Sequence, residues 1–213
     1  MKNACEGVLY PQSAVSQIDL SKTSSEPPRI FLKSNLVAYE VPHKAWLYCK
    51  EELENTFSYL KEQNPANIFV LAPLHKGPID FDSPYKIYSP LDGFLKGQDW
   101  QIELEIPKEI KALSFVVQND DVCTEEHSLE ILAPFIVKVF PNAKVCYLLA
   151  PAQEPSAQEL STQELPTQEP SAQDLEEICE ITAIIGRLYS DSLIFISNNN
   201  QTNCAAIWMR ENQ

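Results

Sequence analysis

Histidine is scarce in this 213-residue chain, which carries only His43, His75 and His127. Basic residues are short as well: 16 Lys and Arg stand against 30 Asp and Glu, a formal net charge of -14. Nucleic-acid binding needs a basic patch to displace counterions from phosphates, so that class is excluded. No apolar run approaches the roughly 18 residues of a membrane-spanning helix. The N-terminal stretch MKNACEGVLY has one lysine and no apolar core, so no secretory signal is read and a cytoplasmic address is expected. None of the six cysteines stands in a C-x-x-C pair, which excludes a zinc ribbon and a thioredoxin-type motif. Without a secretory context they are expected to be reduced and mostly buried.

What remains is an ordinary globular composition, 44% hydrophobic and 22% charged, in a length that suits one medium domain. A low-complexity stretch interrupts it. From Ala152 the chain reads AQEPS, AQELS, TQELP, TQEPS, AQDLE, a five-residue period running to Glu176. Such a unit is too short for a solenoid repeat and offers at most one leucine to any core. Residues 151–180 hold eight acids and no Lys or Arg, so more than half of the net charge is local to this stretch. The expected organisation is a first part of one domain over 1–150, an acidic, disordered insertion over 151–176, and a helix and strand over 177–213 that complete the domain. A surface-loop expansion is the simpler reading of the insertion, an acidic docking strip the alternative.

Either side of the repeat, strand and helix patterns alternate. Branched apolar segments at 29–33 and 35–41, bounded by prolines, read as strands. NIFVL (67–71), KVCYLL (144–149) and SLIFIS (192–197) are continuous apolar runs, the pattern of buried parallel strands. Residues 50–61 place Leu53, Phe57 and Leu60 on one helical face, which Trp46 and Cys49 extend. Residues 125–140 carry a second apolar stripe, with Thr124 as the expected N-cap and Pro134 as an expected kink. Residues 175–189 form a third amphipathic helix. This alternation predicts an α/β fold, layered α/β/α around a mostly parallel central sheet.

Chemistry gathers where strands end. His43 follows the strand ending at Val41, and His75 follows the strand ending near Leu71. Ligands of open α/β sheets bind outside the carboxyl ends of strands, so both histidines are candidates for one site. His127, expected in the first turn of its helix, sits where the helix dipole favours a neutral imidazole. Two histidines with a third donor suit iron(II) or zinc, although an isolated loop histidine more often serves the surface.

Five motifs raise that expectation: GVLYP (7–11), VPHKAWLY (41–48), LAPLHKGP (71–78), SPLDG (89–93) and EEHSLEILAPF (125–135). Together and in this order they resemble the Memo family, called AmmeMemoRadiSam system protein B in bacteria. The resemblance runs from residue 7 to about 150 and resumes over 175–197. It implies a fold similar to the class III extradiol dioxygenases, with His43 and His75 as metal ligands and His127 beside them as the proton-transferring, catalytic residue. It also implies iron or copper as the metal, beside the zinc that the donor types suit; otherwise no cofactor is expected.

The sequence departs from the family pattern around those residues. Lys44 and Ala45 follow His43 where the pattern has Ala-Gly, and Leu74 precedes His75 where it has serine. The third donor is expected after the SLIFIS strand, but residues 197–204 contain neither histidine nor acid. Cys204 is the only strong donor nearby and stands a few residues late. Within CAAIWM (204–209) a core cysteine is the competing reading. The family also continues beyond the elements readable here, so its C-terminal elements are expected to be lacking. Three functional readings follow. The first is a degenerate or accessory Memo-like protein with a partial pocket of His43, His75 and Cys204. The others are a metal-dependent redox or dioxygenase-like enzyme, and an interaction protein working through the acidic repeat. The partner is an unspecified small molecule or protein.

Overall fold

A computed structural model describes residues 11, 13–21, 28–33, 36–42, 44–74, 86–124, 126–151 and 172–198. In chain order the elements are α1 (Ala14–Gln17), β1 (Ile30–Lys33), β2 (Leu36–Pro42), α2 (Trp46–Leu60) and β3 (Asn67–Leu74). β4 (Ile87–Ser89), β5 (Gly93–Lys96), β6 (Gln101–Leu104), α3 (Lys108–Lys111) and β7 (Val116–Gln118) come next. The chain then forms α4 (Asp120–Thr124), α5 (Ser128–Val139), β8 (Lys144–Pro151), α6 (Ala172–Leu188) and β9 (Leu193–Asn198).

The strands form one sheet in the order β1-β2-β9-β3-β8-β4-β7, with β6 also pairing β8 and β5 hairpinned onto β6. β2, β9, β3 and β8 are mutually parallel neighbours. Among the described residues, antiparallel pairing is confined to β1–β2, β4–β8 and β5–β6. This is the α/β fold with a mostly parallel sheet that the alternating pattern predicts. The central strands are apolar throughout because both faces are covered, as in β3, where every residue after Asn67 is buried.

Alternate residues serve two cores. Val41, Ile68, Val70, Val145, Tyr147 and Phe195 join the cluster that α1, α2 and α5 close. Phe69, Leu71, Cys146, Leu148, Ile194 and Ile196 join the one that α3 and α6 close. Phe57 of α2 centres the first: its ring lies 5.2 Å from Phe135 of α5, 5.2 Å from Phe195 of β9 and 6.1 Å from Phe140. Trp46 adds a contact to Phe135 at 5.1 Å. Helix α2 therefore starts at Trp46, as the apolar spacing suggested, because Trp46 and Cys49 lie on the face that packs.

Several expectations need correction. Thr124 does not cap the long helix: it ends the separate helix α4, its hydroxyl donating to the Asp120 carbonyl at 2.7 Å. The N-cap of α5 is His127, one position outside the helix rather than within its first turn. Pro134 lies buried in the middle of α5, inside the helix where the sequence placed it. The last pentapeptide of the repeat, 172–176, is the first part of α6. Residues 152–171 lie outside the described residues. The short elements α1, α3, α4 and β4 to β7 carry too few residues for a readable period.

Candidate metal site

The parallel core defines one edge. Pro42 of β2 is in register with Asn198 of β9, Leu71 of β3 with Ile196 of β9, and Leu74 of β3 with Pro151 of β8. Four neighbouring strands thus finish together, and Pro42 and Leu74 are the residues that precede His43 and His75 in sequence. His43, His75 and Cys204 themselves lie outside the described residues. Among the described residues, no group of three His, Cys, Asp or Glu side chains gathers in a way that could hold a metal ion.

Lys44 is exposed, so its ammonium faces solvent. The Cys49 thiol donates to the Lys44 carbonyl at 3.3 Å, tying the segment after β2 to the first turn of α2. Burial, with Glu52 adding and Lys44 opposing, pushes that thiol up to about 12, so it stays protonated and is a packing group.

His127 is half-buried at the start of α5, and its carbonyl accepts the Ile131 amide at 3.1 Å. Helix α5 ends four residues before β8 begins, which puts its C-terminus at the opposite edge of the sheet and directs its start toward the strand C-termini. Of the four sequence-derived site residues, this is the one the described structure locates.

The surroundings of His127 hold polar groups that the motif reading did not single out. Glu126, Ser128 and Glu130 are buried, and so is Tyr147 of β8. Burial raises the Tyr147 phenol well above its ordinary value, with Glu126 and Cys123 adding to the effect. Cys123 is pushed to about 12 by burial, then by Asp120 and Glu126. The signal for Glu126 and Glu130 was present, since two acids interrupt an apolar stripe. Tyr147 sat unmarked inside the apolar run KVCYLL.

An open, mostly parallel sheet with helices on both faces and its strand ends gathered at one edge defines the α/β class whose ligands bind beyond those ends. Within that class the particular family is clear. The family model described as "Memo-like protein" matches residues 4–171, and the chain belongs to that family. It is similar to the "MEMO1 family protein" of Metallosphaera sedula, 27% identical over 128 residues, covering 56% of this chain and 42% of that one. A namesake from Ignicoccus hospitalis is 26% identical over 174 residues, 75% of this chain and 59% of the relative. The Pyrococcus abyssi protein "MEMO1 family protein PYRAB05390" is 26% identical over 118 residues, 54% and 40% of the two chains. The chain thus spans about half the length of the curated relatives it matches. No described helix is long and apolar enough to cross a membrane.

Proposed function

We propose that this is a degenerate or accessory Memo-family protein, acting in the cytoplasm, with a partial histidine-based metal pocket at the carboxyl edge of its sheet. The observation that carries the reading is the shared register of β2, β9 and β3 at that edge, because the sequence continues from their last residues into His43, the segment before Cys204, and His75. Two imidazoles and one thiol make a donor set suited to iron(II), copper or zinc. With an imperfectly spaced third donor, the pocket loses a bond and the preorganisation that comes with it. His127, at the start of α5, would hold or pass a proton next to such a site, as a neutral imidazole favoured by the helix dipole. The ligand is a small molecule or a protein surface.

Its test is metal content after purification without a chelating tag, followed by calorimetric titration with iron(II), copper and zinc under reducing conditions. Weak or substoichiometric binding is expected. Submicromolar one-to-one binding that is lost in His75→Ala would overturn the degenerate reading in favour of a metal-dependent redox enzyme. The half-buried position of His127 beside buried acids favours that second reading over an interaction protein working through its repeat.

A further inference from the structure

The β5–β6 hairpin leaves one strand at the margin of the sheet. Among the described residues β5 pairs only with β6, in the register Phe94↔Glu103, Leu95↔Ile102 and Lys96↔Gln101. The Gly97 amide donates to the Trp100 carbonyl at 3.0 Å and closes the turn. Bonded and non-bonded pairs alternate along an antiparallel ladder, so Gly93 and Leu95 bond back to β6 while Phe94 and Lys96 turn their amides and carbonyls outward. The side chains alternate as well. Leu95 is buried on one face, whereas Phe94, 51% exposed, and the exposed Lys96 share the other.

What fits this edge follows from its two outward residues. An antiparallel copy of β5 centred on Leu95 sets Phe94 opposite Lys96 of the second copy, and Lys96 opposite its Phe94. Both outward residues of each strand then fall in bonded pairs, and no like charges meet. Within the chain Lys96 Nζ already lies over the Phe94 ring, 5.8 Å from its centroid, and the second copy offers the same contact across the edge. Glu103, the neighbour of Phe94 on β6, adds a carboxylate on that face. Centring the pair on Lys96 would set two lysines against each other. Centring it on Phe94 would carry Lys96 past the end of β5.

We propose that β5 is a self-association edge, at which two copies of this chain pair antiparallel about a two-fold axis through Leu95. The pairing joins the two sheets into one and is independent of whether a metal binds at the carboxyl edge. Four residues per strand fall short of the roughly 1,000 Å² of a stable interface, so the association is weak and reversible, with Kd on the order of 100 μM.

Sedimentation equilibrium of the full chain tests this, in about 0.15 M salt to screen the repulsion between two copies of net charge -14. The parent should pass from monomer to dimer between about 10 μM and about 1 mM. Phe94→Lys sets lysine against lysine twice, by symmetry, and should weaken the dimer at least about tenfold. Adding Lys96→Glu restores opposite charges in the same register and should recover dimerisation. A parent that stays monomeric up to about 1 mM overturns the proposal, and so does a Phe94→Lys variant that associates as well as the parent. A double variant that stays as monomeric as Phe94→Lys also overturns it, because the pairing then does not follow this register. Both positions are exposed, and an unchanged Tm checks that the variants fold.

Discussion

Replacing Phe57 by alanine removes the ring through which α2 meets α5 and β9. Phe57 is fully buried and is in ring contact with Phe135, Phe140 and Phe195. Core Phe→Ala substitutions cost about 3–5 kcal/mol, transfer and cavity together. Three aromatic neighbours on three different elements limit how far the site can collapse, which places Phe57→Ala near the upper end, about 4–5 kcal/mol. In a chain of this length each kcal/mol lowers Tm by about 2–4 °C, so a fall of roughly 10–15 °C is expected. Thermal unfolding followed by circular dichroism measures it, with Tyr59→Ala as the control. Tyr59 lies on the same helix but is 47% exposed, and its loss should stay within about 0.5 kcal/mol. If Phe57→Ala falls no further than Tyr59→Ala, the aromatic cluster does not hold α2 against the sheet.

Two further outcomes follow from local geometry. Gly97 lies against Trp100, and a Cβ there would sit 2.3 Å from the indole nitrogen. Gly97→Ala should therefore cost about 1–3 kcal/mol through forced movement of the buried ring, read by urea unfolding; an unchanged midpoint would show that the β5–β6 turn yields freely. Asp92 accepts from Lys111 Nζ at 2.6 Å, the Ile106 amide at 3.1 Å and Gln118 Nε2 at 3.4 Å. Burial alone would raise its carboxyl, but these bonds, Lys111 first, outweigh burial and hold it below the usual carboxylate value. A lowered folded pKa means stability that is present above the unfolded value of about 3.9 and lost as pH falls through the folded one. Asp92→Asn should remove that acid-side contribution, about 0.5–1 kcal/mol after solvent screening of the half-exposed pair. Identical stability-versus-pH curves for parent and variant below pH 5 would contradict the assignment.

The apolar runs NIFVL, KVCYLL and SLIFIS determined the central strands by themselves, because a strand covered on both faces must be apolar at every position. The spacing of Trp46, Cys49, Leu53, Phe57 and Leu60 likewise determined α2, since a 3.6-residue stripe has one way to be buried. Five short motifs carried the family. What period could not reveal was where helices break. Residues 125–140 read as one helix capped by Thr124, whereas the chain ends α4 at Thr124 and starts α5 at Ser128, with His127 outside as the N-cap. The stripe of apolar residues is the same in either arrangement; packing of α5 against α2 decides between them. The last AQDLE pentad is another case: alone it resembles its four predecessors, but it leads directly into the apolar face of α6 and takes up helix. Tertiary structure alone decided the order β2-β9-β3-β8, which sets strands distant in sequence side by side and brings their carboxyl ends to one edge. It also brought Tyr147 to the start of α5. No local pattern encodes that contact, because the two residues meet only when a strand and a helix pack across the same core.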